Sequence, residues 1–175
     1  MTATCDVVEC NGASPGTWTV VTSVRFCTAD TYNPGLSYPI PIVSGQTKRS
    51  YWKSICLSFG GTYTQITNVC IYTDGSDFGT GITTYIGDET LPANSYQQAT
   101  GVQGDTGDEM VATHSGITSK TAFFTYTSTN KKLVDAGPIT GTAKSKHVVL
   151  QMDVSDTATP GVKGPETITW TYDEI

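Results

Sequence analysis

The chain has 175 residues, enough for one domain that buries about 68–70% of its unfolded surface and so holds a real core. Charged residues make up 15%, well under the roughly 25% usual for soluble domains, and the formal net charge is −6. The basic residues are scattered as Lys48–Arg49, Lys131–Lys132, Lys144 and Lys146, with no basic stripe between aromatics, so nucleic-acid binding through phosphate neutralisation is not expected.

Threonine, at 31 residues, and glycine, at 18, take the place of the missing charge. Threonine is β-branched and favours pleated backbone, and glycine serves tight turns and bulges. Together they predict an all-β protein with an uncharged polar surface.

Residues 1–16, "MTATCDVVECNGASPG", carry neither a basic n-region nor an apolar h-region, so no signal peptide is expected there. They read as an N-terminal arm, with residues 17–175 as a single domain. From Thr17, "TWTVVTSVRFC" alternates Trp18, Val20, Val24 and Phe26 against Thr17, Thr19, Ser23 and Arg25. "SYWKSICLSF" sets Tyr51, Ile55, Leu57 and Phe59 against Trp52, Ser54, Cys56 and Ser58. "HVVLQMDV" places Val148, Leu150, Met152 and Val154 inward, and "ETITWTYD" does so with Ile168, Trp170 and Tyr172. Weaker strand candidates lie at 38–43, 64–73, 82–87, 95–99 and 121–127.

Turn chemistry separates these runs: "NPG" at 33–35, "GG" at 60–61, "DG" at 74–75, "TPG" at 159–161 and "KGP" at 163–165. No window shows a 3.6-residue period, so helix is limited to a turn or two. About eight or nine short strands with such punctuation predict a single antiparallel β-sandwich, jelly-roll or Ig-like. Residues 100–120 form the longest weakly patterned stretch. No run approaches the roughly 18 apolar residues of a membrane span, so no membrane partner is expected.

Candidate chemistry is sparse. Gly12-Ala13-Ser14-Pro15-Gly16 matches a nucleophile elbow in form, but Pro15 lacks the N–H that an oxyanion hole requires, and a strand follows where a helix is needed. His114 and His147 belong to no catalytic or metal motif. The pairs Asp88–Glu89 and Asp108–Glu109 read as solvated loop acids. The five cysteines, Cys5, Cys10, Cys27, Cys56 and Cys70, show no zinc spacing and read as buried free thiols, with Cys5–Cys10 or Cys56–Cys70 disulfides as alternatives.

"YTDGSDFGTG" at 72–81 fails the EF-hand template, because Phe78 and Tyr85 stand where oxygen ligands are required. A looser calcium site would need Asp74 and Asp77 to meet Asp105 and Asp108; the competing reading is an Asp–Gly turn. Tyr51, Trp52, Tyr63, Tyr72 and Tyr85 are candidate contact aromatics, able to form a sugar-stacking platform if they share one sheet face.

The segment "YNPGLSYPIPIVSGQTKRSYWKSICLSFGGTYTQITNVCIYTDG", with "LPANSYQQATG" and the closing "SKHVVLQMDVSDTATPGVKGPETITWTYDEI", resembles structural proteins of tailed phages and related archaeal viruses. That resemblance implies a β-sandwich capsid or decoration protein located in the virion and assembled in the host cytoplasm. It implies capsid or other virion proteins as partners, a homo-oligomer, no catalytic residues and no cofactor. A carbohydrate-binding sandwich on a virion or cell surface is the alternative.

Overall fold

A computed structural model describes residues 2–175. Its strands in chain order are β1 (Ala3–Asn11), β2 (Thr17–Val20), β3 (Lys48–Arg49), β4 (Lys53–Gly61), β5 (Ile66–Thr73), β6 (Ile82–Gly87) and β7 (Gly101–Val102). There follow β8 (Thr106–Gly107), β9 (Lys120–Ala122), β10 (Lys132–Asp135), β11 (Ala143–Lys144), β12 (Val148–Val154) and β13 (Ile168–Glu174). Helix is confined to the single turn α1 (Met110–Thr113) and two short 3-10 turns. The all-β reading holds.

The larger sheet runs β2-β1-β4-β12-β6-β9, with β11 added to β4 and β3 to β12. A three-stranded sheet, β10-β5-β13, packs on one of its faces, and all the strand pairings are antiparallel. Between the sheets lies the main core of Ile55, Leu57, Phe59, Ile66, Val69, Ile71, Ile86, Phe123, Val134, Val148 and Leu150. Full burial of such a side chain contributes about 1.5–3 kcal/mol, so this face supplies most of the driving force for folding. Truncating Leu150, which has no exposed surface, is expected to cost about 2–5 kcal/mol.

The opposite face of the large sheet is also covered. Residues between β6 and β9 fold over it and bury Trp52, Val149, Met110, Ile117 and Ala99 in a second cluster. This explains why β4 and β12 are buried almost without interruption rather than on alternate residues. The stretch 100–120, weakly patterned in sequence, is therefore an ordered cover built from the β7–β8 hairpin and α1.

Several expectations need correction: thirteen strands are described where eight or nine were expected, residues 95–99 form no strand, and 121–127 is strand only as far as Ala122 before the 3-10 turn Phe123–Thr125. The arm of residues 1–16 contains β1, which pairs β2 on one side and β4 on the other over eight register positions. Its pattern is legible afterwards: Ala3, Cys5, Val7 and Glu9 share a face, while Thr4 and Asp6 are exposed. The strand expected across 17–27 stops at Val20, although Val24 and Phe26 still pack on the core from a loop. Residues 38–43 form no ladder, because Pro39 and Pro41 offer no N–H to a neighbour.

Candidate functional site

At one end of the sandwich, three segments distant in sequence converge on a single carboxylate. Asp30 Oδ1 accepts a hydrogen bond from Asn11 Nδ2 at 3.0 Å. Its Oδ2 accepts from the Gly12 amide at 2.9 Å and from Gln98 Nε2 at 2.9 Å. Asp30 thereby ties the end of β1 and the cover segment to the long loop that follows β2.

Beneath this junction sits a fully buried ion pair. Register places Glu9 opposite Ile55 on the core face, and Lys53 lies two residues from Ile55 on that same face. Lys53 Nζ donates to Glu9 Oε1 at 3.0 Å and to the Thr31 carbonyl at 2.5 Å. Asn11 Nδ2 also reaches Glu9 Oε1, at 3.1 Å. Burial pushes the Glu9 carboxyl above its ordinary value, the Lys53 ammonium and Asn11 amide pull it back, and the nearby Asp30 charge adds to the rise. Glu9 Oε2 has no partner among the described residues.

Above the network opens a cleft of about 800 Å³ whose walls include Asp30, Asn33, Tyr38, Tyr51, Gln98 and Gln103. Among the described residues no lysine or arginine lines it. Tyr38 has φ 57°, in the left-handed region that an aromatic residue rarely occupies. Its carbonyl accepts from the Thr28 amide at 2.9 Å and from the Thr28 hydroxyl at 3.0 Å, which hold the strained residue in place. The β7–β8 hairpin closes the far wall, anchored by the Gly104 amide donating to the Thr28 carbonyl at 3.0 Å.

The same loop presents an apolar outer surface. Residues 31–47 form a run of 17 without one charged side chain, and they include three prolines. Along it Tyr32, Leu36, Tyr38 and Ile42 are exposed, Leu36 at 86%. Val102, at the adjoining hairpin, is exposed at 62%. The loop is pinned from below: Thr28 holds Tyr38 and Pro39, Ile40 packs against the cluster of Ile82, Met152 and Val154, and the Gly45 amide donates to Asp156. Its apolar side chains therefore project from a fixed backbone.

The residues singled out in the sequence are placed elsewhere. Asp74 Oδ1 accepts from the Ser76 amide and Asp77 Oδ1 from the Gly79 amide, with Gly75 at φ 87°, so this stretch is the Asp–Gly turn. Asp105 pairs with Lys48 at 2.7 Å, and Asp108 accepts from the Thr100 hydroxyl at 2.7 Å. Among the described residues no three His, Cys, Asp or Glu side chains gather where they could hold a metal ion.

The five aromatics do not form one platform. Trp52 is 2% exposed, donates to the Gln97 carbonyl and meets the His114 ring edge-on. Tyr63 stacks edge-on against Phe59 and donates to the Gly141 carbonyl. Tyr72, on β5 of the small sheet, carries Lys131 over its ring, and Tyr85, on β6, carries Lys120 over its ring. Only Tyr51 reaches the cleft.

His114, within the cover segment, and His147, which pairs with it at Leu91, are both buried, and His147 meets Trp18 edge-on at 5.8 Å. Ser14 donates its hydroxyl to the Tyr96 carbonyl. All five cysteines are free thiols, and Cys10, Cys27 and Cys56 are buried.

Asp30, Tyr38 and the 31–47 surface were missed in the sequence, although the charge-free run with its three prolines was a readable signal. Comparisons with known proteins find no matching family model, no matching curated protein and no matching solved structure.

Proposed function

We propose that this chain is a virion structural protein, a decoration subunit that stabilises a capsid shell through protein–protein contacts and carries no catalytic step. The observation that carries the reading is the charge-free, proline-stiffened surface of residues 31–47, where Leu36 is the most exposed apolar side chain. Apolar side chains exposed on a pinned loop lose little conformational entropy on docking, so a modest area gives useful affinity. Depletion of charge is also the compositional mark of an interface core.

The resemblance of the strand segments to virion structural proteins supplies the kind of partner. A shell repeats its surface many times, and an oligomer of this chain would engage several copies together, multiplying weak contacts by effective concentration. The chain would accordingly reside in the virion. The test is cosedimentation of the purified protein with assembled shells, comparing wild type with Leu36→Asp. Loss of binding by a variant that retains its thermal midpoint supports docking through this loop. Equal binding by both proteins moves the contact elsewhere, and no binding by either removes the proposal.

A further inference from the structure

We propose that the cleft between the 31–38 loop and the β7–β8 hairpin is a binding site for a short neutral oligosaccharide. This goes beyond the docking surface above, since it concerns a concavity beside that surface and a different class of ligand.

The chemistry of the walls selects the ligand. At about 800 Å³ the cleft falls within the roughly 300–1,000 Å³ range of small-molecule sites. An anionic ligand finds no cation there: no Lys or Arg lines the cleft, the Lys53 ammonium is sealed beneath it against Glu9 and Thr31, and Asp30 would repel a negative group. A metal cation finds one carboxylate and no second acid in the lining. A greasy ligand would strand the polar walls, at a cost for each unpaired group. What remains is a neutral molecule with many hydroxyls and some C–H surface.

The walls suit such a molecule. The Asn33 and Gln103 side-chain amides and the Ser37 hydroxyl belong to residues lining the cleft and have no hydrogen-bond partner among the described residues. Amides and hydroxyls both donate and accept, as sugar hydroxyls do. Tyr38, exposed at 39%, supplies an aromatic ring for a C–H face, whereas Tyr51, only 7% exposed, lines the cleft with little of its surface. Asp30 is already fixed by Asn11, Gly12 and Gln98, so its position costs nothing further on binding. The strained backbone at Tyr38 is the kind of outlier that gathers at ligand clamps.

The probes are disaccharides to tetrasaccharides of glucose, mannose and galactose on an array, followed by calorimetry of the hits. Sialylated and sulfated glycans on the same array serve as the charged comparison. Asn33 and Gln103 are exposed, so Asn33→Ala and Gln103→Ala keep the fold intact, and each is expected to weaken binding about tenfold. Tyr38→Gly tests the clamp, because it removes the ring and relieves the positive φ together; it should lose binding while its thermal midpoint holds or rises. Binding of neutral glycans alone, with these losses, supports the site. Absence of any neutral hit, preference for charged glycans, or affinity unchanged by all three substitutions would overturn it. Tyr38 belongs to both features, so they are separated by Gln103→Ala, outside residues 31–47, and Leu36→Asp, outside the cleft lining, with glycan binding and shell cosedimentation read on each.

Discussion

Lys53 Nζ lies 3.0 Å from Glu9 Oε1, and neither side chain has any exposed surface. The pair links β4 to β1 under the cleft, and through the Thr31 carbonyl it also holds the start of the 31–47 loop. Removing one partner leaves a buried charge uncompensated, which typically costs about 3–5 kcal/mol. Lys53→Met is expected to lower stability by that order in denaturant unfolding, whereas Lys53→Met with Glu9→Leu should recover most of the loss. A single variant as stable as wild type would show that the pair is not buried as described.

A second expectation concerns acid. Burial, aided by the neighbouring His114, holds His147 down at about 4 from an ordinary 6.5. Between those values the unfolded chain binds a proton at this position and the native chain does not, so stability is lost as the pH is lowered. The contribution is whole above about pH 6.5, is lost by about pH 4, and corresponds to roughly 3 kcal/mol.

His114 is lowered in the same direction by burial. Glu9 and Asp153 are raised by burial and act in the opposite sense, favouring the native state at low pH. The His147 contribution is therefore isolated by comparing wild type with His147→Leu at about pH 7 and about pH 4.5. The variant should lose less stability on acidification than wild type, and equal losses would contradict a neutral buried imidazole.

The β7–β8 hairpin depends on a glycine. At Gly107 an added Cβ would meet the Ser50 carbonyl and the Tyr51 amide, backbone atoms that cannot swing aside. Gly107→Ala should therefore displace the hairpin from the Ser50–Tyr51 segment that precedes β4 and loosen the cleft wall. Faster amide exchange at 101–107, with the β4 and β12 amides unchanged, is the expected signature; unchanged exchange at 101–107 would contradict it.

The thiols offer a simple check of the core. Burial pushes the Cys10 thiol up to about 11, with Asp30 adding to the rise, and Cys56 is raised further by burial. Little thiolate is present near neutral pH, so both should react slowly with a thiol reagent in the native protein. All five cysteines should react at once in denaturant. Fast native labelling of Cys56 would mean that the cover over the outer sheet face opens readily.

The strands with period-two alternation were legible because their pattern is local. β4, β12 and β13 fall where Lys53, Val148 and Ile168 begin their runs, and the Asp74–Gly75 turn falls where its chemistry places it. β1 was hidden because Val8, Glu9 and Cys10 are all buried, which breaks the alternation in its second half. A buried Glu9 reads as surface until its partner, 44 residues away, is known. The cleft was equally hidden, since Asp30 joins Asn11 to Gln98 across separations of 19 and 68 residues that no spacing rule covers. Whether the aromatics share a platform was not legible, because periodicity assigns a face but not what covers it; Lys120 over Tyr85 is the example.

The most direct test of the central claim is cosedimentation of the purified chain with shells assembled from a major capsid protein encoded in the same genome. The expected result is saturable binding of the wild type and loss of binding by Leu36→Asp, with the fold of the variant intact. A wild-type chain that stays in the supernatant at every concentration, or a genome that encodes no such capsid protein, would contradict it.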